Sequence, residues 1–151
     1  MSNDVRLEDV TAQNWRAVVS LKLAEDQQRL LASNTYSIAQ SKFDEAAQPR
    51  AIYAGDTVVG FIMYDVPEVE DKDQSVSIYR FMVGHEHQGK GYGRAALTCA
   101  IDEIRQIPGI EKITISYVPG NVRAKSFYAS FGFSELPFKE GDWELVAELK
   151  L

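Results

Sequence analysis

The chain has 151 residues, of which 45% are hydrophobic and 25% charged, and a formal net charge of −6. This length and composition are those of one ordinary globular domain, and the acidic balance argues against a nucleic-acid partner. The longest strongly apolar stretch, residues 57–64, is too short to span a membrane, the N-terminal residues lack a signal segment, and Cys99 alone can form no intrachain disulfide or multi-cysteine metal site. We therefore expect one cytoplasmic domain over residues 1–151, without metal, nucleic acid or membrane.

The first half of the chain contains signals for one strand and three helices, followed by a hairpin. Val5 and Leu7 alternate like a short strand, and Thr11 is expected to cap a helix that carries Trp15 and Val18 on one face. Two more helical stretches are predicted, at Glu25–Ala32 and from about Ser37 to Ala46, with Asn34 and Tyr36 between them. The period then changes to two, which predicts strands at Arg50–Ala54 and Thr57–Tyr64 around a turn at Gly55–Asp56.

The second half alternates strands and helices after an acidic loop at Asp65–Gln74. The predicted elements are a strand at Ser75–Val83, a helix at Gly93–Gln106, a strand at Lys112–Tyr117, a helix at Asn121–Ser130, and strands at Phe131–Leu136 and Trp143–Leu149. This order favours an α/β fold with a mixed, mostly antiparallel central sheet and helices on both faces over a strictly alternating parallel fold.

The segment with the clearest chemical meaning is Gln88-Gly89-Lys90-Gly91-Tyr92-Gly93-Arg94, which follows a predicted strand and begins a predicted helix. Glycine permits positive φ and lets a ligand approach the backbone amides without meeting a Cβ. The free N–H groups of a first helical turn, with the positive end of the helix dipole, form an anion site. A tight turn without a ligand would explain one glycine, but it explains three poorly.

The pattern Gln88-x-x-Gly91-x-Gly93 resembles the acetyl-CoA pyrophosphate loop of the GNAT N-acetyltransferase superfamily. Asn121 and the segment from Phe127 to Phe133 also resemble that family, in the same order along the chain. Tyr36–Phe43, Ile78–Met82 and the glycine segment are similar to the bacterial spermine/spermidine acetyltransferase branch of the superfamily.

The resemblance implies a GNAT-like fold and acetyl-CoA as cofactor, with CoA as product. In such folds the strand that holds Phe81, Met82 and Val83 splays from its neighbour and leaves backbone groups for the pantetheine arm. The pyrophosphate would lie on the amides of residues 89–94, beside Lys90 and Arg94. Asn121 would hydrogen-bond the pantetheine or the reacting region, and Arg123 and Lys125 could reach the outer phosphates or be ordinary surface charges.

The resemblance also implies that Tyr128 is the catalytic acid, since a phenol can protonate the departing CoA sulfur. The proton acceptor for the amine stays open. No carboxylate lies between Gln74 and Val83, so water held by Glu25, Asp65 or Glu68 is one alternative, and His85 and His87 are more typical of surface residues. Cys99 is expected to be a buried apolar residue rather than a nucleophile.

The expected acceptor is a primary amine of spermine or spermidine, acetylated by direct attack in a ternary complex. Residues 80–130 carry 7 basic and 4 acidic side chains, whereas the flanking segments are acidic, which suits an anionic donor beside a cationic acceptor or reflects solvated surface charge. Glu25, Tyr36, Asp65, Glu68 and Tyr79 are the candidate acceptor residues, and Asp26, Glu70, Asp71 and Asp73 could join them. The alternatives are another small amine, an amino acid, an antibiotic or a protein N-terminus as acceptor, or an acyl-CoA sensor without turnover. A homodimer is also expected from the resemblance.

Overall fold

The computed structural model describes residues 4–68, 70, 74–139 and 141–151, with the side chains of Arg29 and Leu30 left undescribed. Seven strands form one sheet in the order β1-β2-β3-β4-β5-β7-β6. Their bounds are β1 Val5–Asp9, β2 Ala47–Ala54, β3 Thr57–Asp65, β4 Ser75–Val83, β5 Lys112–Tyr117, β6 Ser134–Glu135 and β7 Leu145–Lys150. All neighbouring strands are antiparallel except β4 and β5, which run parallel. The predicted mixed, mostly antiparallel sheet is therefore confirmed.

Helices cover both faces of this sheet, as predicted. They are α1 Trp15–Ser20, α2 Asn34–Ser41, α3 Tyr92–Arg105 and α4 Val122–Ala129, with 3₁₀ helices at Glu25–Leu30 and His85–His87. On one face, side chains of α3 and α4 pack with Ile52, Ile62 and Ile115. On the other face, Val18 of α1 and Ile38 of α2 pack with alternate strand residues that include Phe61, Met63 and Met82. Within the described part of the chain, no helix is both long and apolar enough to cross a bilayer.

The apolar stripe of α3 fixes the position of the glycine segment. Ala96, Leu97, Ala100, Ile101 and Ile104 are all buried, at the spacing of one helix face. Because this face is packed against the sheet, the N-terminus of α3 is held at the end of β4 that carries Val83.

Two predicted helices have the wrong bounds. Helix α1 begins after Asn14, not Thr11; the Asn14 side-chain amide donates to the Asp9 carbonyl at 2.9 Å, and its Oδ1 accepts from the Thr11 amide. Helix α2 begins at Asn34, because the Ser33 hydroxyl accepts from the Tyr36 amide at 3.0 Å and caps the helix. It ends at Ser41 rather than at the predicted Ala46, and β2 already begins at Ala47. Both starts are set by hydrogen bonds of polar side chains, which the spacing of apolar residues does not register.

Strand β6 is shorter than the predicted Phe131–Leu136. The amides of Phe131 and Phe133 both donate to the Tyr128 carbonyl, so these residues form the C-terminal turn of α4. Ser134 and Glu135 pair with β7 as a strand, and the Leu136 amide adds one hydrogen bond to the Val146 carbonyl. The predicted strand at Lys112–Tyr117 and the hairpin turn at Gly55–Asp56 are confirmed as drawn.

Candidate active site

Strands β4 and β5 separate partway along their length and open a gap in the sheet. Pairing joins Ser75–Ile78 to Lys112–Ile115 and ends there, although β4 continues to Val83 and β5 to Tyr117. The register between β3 and β4 shifts at the same level, where Tyr79 is an extra residue on β4. A bulge bends its strand and increases the local twist, so Tyr79 explains why the gap opens where it does.

The backbone of Phe81 faces this gap. On the β3 side, the Met82 carbonyl lies so close to Gly60 that an added Cβ there would be 2.5 Å from it. Since backbone groups alternate in direction along a strand, those of Phe81 and Val83 point the other way, toward β5. The gap therefore offers hydrogen-bonding groups that no strand uses, as expected for an extended ligand lying between the strands.

The glycine segment presents backbone amides at the mouth of the gap. Gly89 and Gly91 have φ of +78° and +84°, which other residues rarely adopt. The first hydrogen bond of α3 runs from the Ala95 amide to the Gly91 carbonyl. The amides of residues 92–94 thus have no carbonyl partner within the helix, and with the helix dipole they form a site for an anion.

Gln88 anchors the segment to its surroundings. Its side-chain amide donates to the Val83 carbonyl at 2.9 Å and to Gln27 Oε1 at 3.0 Å. The first contact ties the segment to the end of β4, and the second ties it to the 3₁₀ helix that covers the gap. Gln88 therefore positions the glycine amides, in addition to lining the cleft itself.

Gly93 tests whether the segment fits a bound ligand. Its φ is not positive, and a Cβ placed on it would meet Val83 Cγ2 at 3.7 Å and Phe127 Cζ at 3.9 Å, which are ordinary contacts. The fold therefore does not require glycine here. Because Val83 and Phe127 both line the cleft, a methyl group on residue 93 would project into the cleft. Glycine keeps this space open, as a bound pantetheine–pyrophosphate chain would require.

These features line one cleft of about 880 Å³, within the usual size range of small-molecule sites. It brings together most of the predicted cofactor residues, namely Phe81, Met82, Val83, Gln88, Gly89, Gly91, Tyr92, Gly93, Asn121 and Tyr128. Arg123, for which the sequence allowed either a phosphate contact or an ordinary surface charge, also lines the cleft.

Three predicted cofactor residues do not line the cleft. The guanidinium of Arg94 stacks on Phe127 and Phe131 and donates to the Ser130 hydroxyl, so only its backbone amide serves the anion site. Lys90 is exposed at the outside of the segment. Lys125 lies on α4 with its ammonium 3.9 Å from Glu135, because the helix turns this side chain away from the gap.

Tyr128 belongs both to the core and to the cleft. It is 8% exposed, and its ring packs against Tyr117, Phe127 and Phe133 at centroid distances of 5.4–6.0 Å. Among the described residues its hydroxyl has no hydrogen-bond partner, yet no buried side-chain oxygen in that part of the chain is left unsatisfied, so this hydroxyl reaches open space. Burial, with Tyr117 nearby, raises the pKa of Tyr128 and keeps the phenol protonated.

Asn121 performs a structural task and keeps a free donor for the cleft. Its Oδ1 accepts from the Ala124 amide at 3.1 Å and caps α4. The two N–H groups of the same side-chain amide are not needed for this cap. Asn121 therefore fixes the start of the helix that carries Tyr128 and can also donate to a ligand.

The predicted acceptor residues divide into one group at the cleft and one outside it. Tyr79 lines the cleft, and its hydroxyl donates to Asp65 Oδ1 at 2.9 Å, so Asp65 lies directly behind it.

The remaining predicted acceptor residues lie mostly outside the cleft. Tyr36 is 61% exposed on α2, and Glu25 and Glu68 are exposed and do not line the cleft. Asp26, one residue after Glu25, does line it. Glu70 is exposed, and Asp71 and Asp73 lie outside the described residues.

Several cleft residues have no clear sequence signal. Arg80 stacks on the Tyr79 ring and donates to Ser37 and Gln40 of α2. Tyr117 contacts Tyr128, and burial together with its hydrogen bond to Glu135 raises the pKa of Tyr117 to about 12. His87, which was expected to be a surface residue, also lines the cleft, as do Leu23, Gln27 and Leu31 around the first 3₁₀ helix, which the sequence did not indicate. Tyr117 alone had a usable signal in the sequence, because it is the last residue of β5, the strand beside the gap.

Comparison with known proteins agrees with this geometry. The model of the acetyltransferase (GNAT) family matches residues 13–133. The chain is 27% identical over 151 residues to the spermine/spermidine N(1)-acetyltransferase of Bacillus subtilis, covering 96% of this chain and 99% of that protein.

Two solved structures share the fold at low identity. The Vibrio cholerae spermidine N-acetyltransferase in complex with CoA and spermine aligns with a TM-score of 0.69 at 18% identity, over 98% of this chain and 95% of that one. The Escherichia coli ribosomal-protein-S18-alanine N-acetyltransferase aligns with a TM-score of 0.71 at 19% identity, over 97% and 93%. With a family match over most of its length and a cleft suited to the cofactor, the chain belongs to the GNAT family and is an acetyl-CoA-dependent N-acetyltransferase.

Proposed function

We propose that this enzyme acetylates a primary amine of a polyamine such as spermine or spermidine. The observation that carries the proposal is the full-length similarity to a spermine/spermidine N(1)-acetyltransferase, supported by one carboxylate that lines the cleft and one that lies behind its wall. Asp26 lines the cleft, and Asp65 lies behind Tyr79. These charges attract a polycation, and the net charge of −6 favours its approach.

The cofactor would be held by the backbone more than by charged side chains. The amides of residues 89–94 would receive the pyrophosphate, with Arg123 at the rim, and the Phe81 backbone and Asn121 would hold the pantetheine arm. When bound, acetyl-CoA supplies a thioester carbonyl that an amine can attack. The gap-facing amides of β4 are placed to donate to that carbonyl oxygen and so to stabilise negative charge that develops on it.

Tyr128 would serve the leaving sulfur. Its phenol stays protonated because burial raises its pKa, and its hydroxyl reaches open space beside the cleft. A thiol has an ordinary pKa near 8.5, so the thiolate needs only a hydrogen bond or a late proton from the phenol. Tyr128 is thus proposed as the catalytic acid.

Direct transfer within a ternary complex is supported by the position of Cys99. Its sulfur lies 3.4 Å from the Val5 carbonyl, where α3 meets β1, and Cys99 does not line the cleft. Burial also raises its pKa, which makes the nucleophilic thiolate scarcer. An acetyl-cysteine step is therefore not part of the proposal.

One observation favours a second class of acceptor. Arg80 lines the cleft, and the hydrogen bonds of its guanidinium within the described residues go to neutral groups, namely Ser37, Gln40 and the Tyr79 carbonyl. A cation without a paired carboxylate would favour an amine that also carries an acidic group, such as an amino acid.

Release of CoA from acetyl-CoA over a panel of amines tests the proposal. We expect spermine and spermidine to give the highest kcat/KM, ahead of monoamines and amino acids. Tyr128→Phe should lower kcat by about 10²- to 10³-fold and leave the Kd for acetyl-CoA unchanged, whereas Cys99→Ala, the matched control, should retain full turnover. A panel in which amino acids exceed polyamines would transfer the proposal to the second class. Cytoplasmic location and pairing of two copies stay predictions.

A further inference from the structure

We propose that Tyr79 and Asp65 form the route by which the acceptor amine loses its proton. This inference rests on the proposed function, because it concerns the amine acceptor of that same reaction. An alkylammonium with a pKa near 10.4 is neutral in only about 4 of 10,000 molecules at pH 7, so the proton must be removed before or during attack. Strand β4 carries no carboxylate that could do this directly, since residues 74–83 include neither Asp nor Glu.

The bulge places Tyr79 beside the reacting position. It turns Tyr79 toward the α1 and α2 face of the sheet, where Tyr79 packs next to the second core cluster and lines the cleft. Phe81, whose backbone faces the gap, is two residues further along β4, which is about 7 Å in an extended chain. Tyr79 and Phe81 both line the cleft, so the proposal places the Tyr79 ring on the side from which an amine approaches a carbonyl held at Phe81.

Asp65 takes the other end of the route. The Tyr79 hydroxyl donates to Asp65 Oδ1 at 2.9 Å, and Asp65 is half-buried and does not line the cleft. Tyr79 thus lies between the acceptor site and the Asp65 carboxylate, and its hydroxyl is the hydrogen-bonding link from one to the other. Asp44, which precedes β2 and is partly exposed, is near enough for its charge to raise the pKa of Asp65.

The electrostatics of the pair suit a conduit. Burial and the Asp44 charge raise the pKa of Asp65, against the opposing effect of the Tyr79 hydrogen bond, so it is a better proton acceptor than an exposed aspartate. Burial, Asp65 and Asp44 raise the pKa of Tyr79, although Arg80 opposes them. Tyr79 therefore transmits a proton without ionising itself.

The proton transfer balances in two linked movements. An N–H bond of the acceptor ammonium breaks as an O–H bond forms on Tyr79 Oη, and the original Tyr79 proton passes to Asp65 Oδ1. The nitrogen keeps the electron pair of the broken N–H bond and uses it to attack the acetyl carbonyl. Asp65 then returns its proton to solvent past Asp44. No electrons are exchanged with any other group.

Rates measured against pH test the route. For Tyr79→Phe and for Asp65→Asn we expect kcat/KM at pH 7 to fall by about 10²-fold, and the deficit to shrink to a few-fold as the pH approaches 10, where free amine is abundant. The double variant should be no slower than either single variant, because both changes interrupt one route. Tyr53→Phe is the matched control: Tyr53 packs against the same core cluster as Tyr79, its hydroxyl accepts from the Asn14 side-chain amide at 3.2 Å, and it does not line the cleft, so its pH profile should match wild type.

The alternative roles give different results, and each would overturn the route. A deficit that is equal at every pH would mean that Tyr79 only shapes the cleft. A loss confined to KM for spermidine, and absent with butylamine, would mean that the pair binds a distal ammonium. If wild type releases CoA with amines and both variants match it, the route fails while the proposed function stands. If none of the amines supports CoA release by the wild-type enzyme, both the route and the proposed function fail.

Discussion

Gly93 is the residue at which the need for a ligand can be separated from the needs of the fold. Gly89 and Gly91 are explained by positive φ, but Gly93 adopts ordinary helical geometry with room for a Cβ. The sequence pattern could identify the segment but not which glycine serves which purpose. That distinction depends on Val83 and Phe127, which come from distant parts of the chain.

For Gly93→Ala we expect opposite effects on stability and on cofactor binding. Alanine in a helix is favoured over glycine by about 0.5–1 kcal/mol, so Tm should hold or rise. The added methyl would project between Val83 and Phe127, so the Kd for acetyl-CoA should increase by about tenfold or more. Thermal unfolding and calorimetric titration measure the two effects, with Gly89→Ala as the variant that loses stability through its φ. An unchanged Kd for Gly93→Ala would contradict the assignment.

Helix α4 shows how an element combines packing and function. Phe127, Tyr128 and Phe131 form an aromatic cluster that seats the helix on the sheet, and the same helix places Tyr128 at the cleft. Its extent was predicted within one residue at each end, because its cap and its terminating glycine are local signals. The direction of Lys125 was not predictable, because it depends on how the helix sits against β5 and β7.

Two substitutions at Asn121 separate its capping role from its proposed ligand contact. Asn121→Ala should lower stability by about 1 kcal/mol and weaken acetyl-CoA binding, because it removes both the cap and the amide donor. Asn121→Ser keeps a capping oxygen and should retain the stability while still weakening binding. Denaturant unfolding and the Kd for acetyl-CoA are the measurements. Wild-type binding by Asn121→Ser would remove the side-chain amide from the cofactor site.

At the scale of the whole molecule, one polar network ties four elements together. Arg50 of β2 pairs with Glu103 of α3 and with Asp9 of β1, each at 2.5 Å, and Tyr64 of β3 donates to the same Glu103. Burial lowers the pKa of Arg50, but Glu103 and Asp9 raise it by more, so the net change is a rise. The network fixes α3, and with it the glycine segment, relative to the sheet.

Removing the charge at the centre of this network should destabilise the fold. For Glu103→Gln we expect a loss of about 1.5–3 kcal/mol in the free energy of unfolding, since three donors to a carboxylate are weakened. Glu8→Gln, which removes the charge of an exposed pair with Arg6, should change stability by less than about 0.5 kcal/mol. Urea titration of both variants gives the comparison, and equal effects would show that the network contributes little.

The raised pKa of Asp65 makes stability depend on pH. The pKa of Asp65 is higher in the folded protein than its unfolded value of 3.8. At pH values between the two pKa values, the folded state therefore binds more protons than the unfolded state. Stability therefore falls as pH rises through this window, and the full penalty is present at pH 7. Asp65→Asn should raise Tm at pH 7, and the gain should shrink toward pH 3. Asp56→Asn, at the exposed hairpin turn, should leave Tm within about 1–2 °C, and an equal gain there would contradict the expectation.

The sequence by itself determined the order of strands and helices, the glycine segment and the family resemblance, because periodicity, turn residues and a short motif are local properties. Only the tertiary structure decided where the charges of residues 80–130 lie. Arg80 and Arg123 line the cleft, while Arg94 covers Phe131 and Lys112 pairs with Glu148. It also decided that the bulge at Tyr79 opens the gap and that Asp65 stands behind it. These features depend on the register between strands and on contacts between residues far apart in the chain, and a side chain's direction follows from that packing.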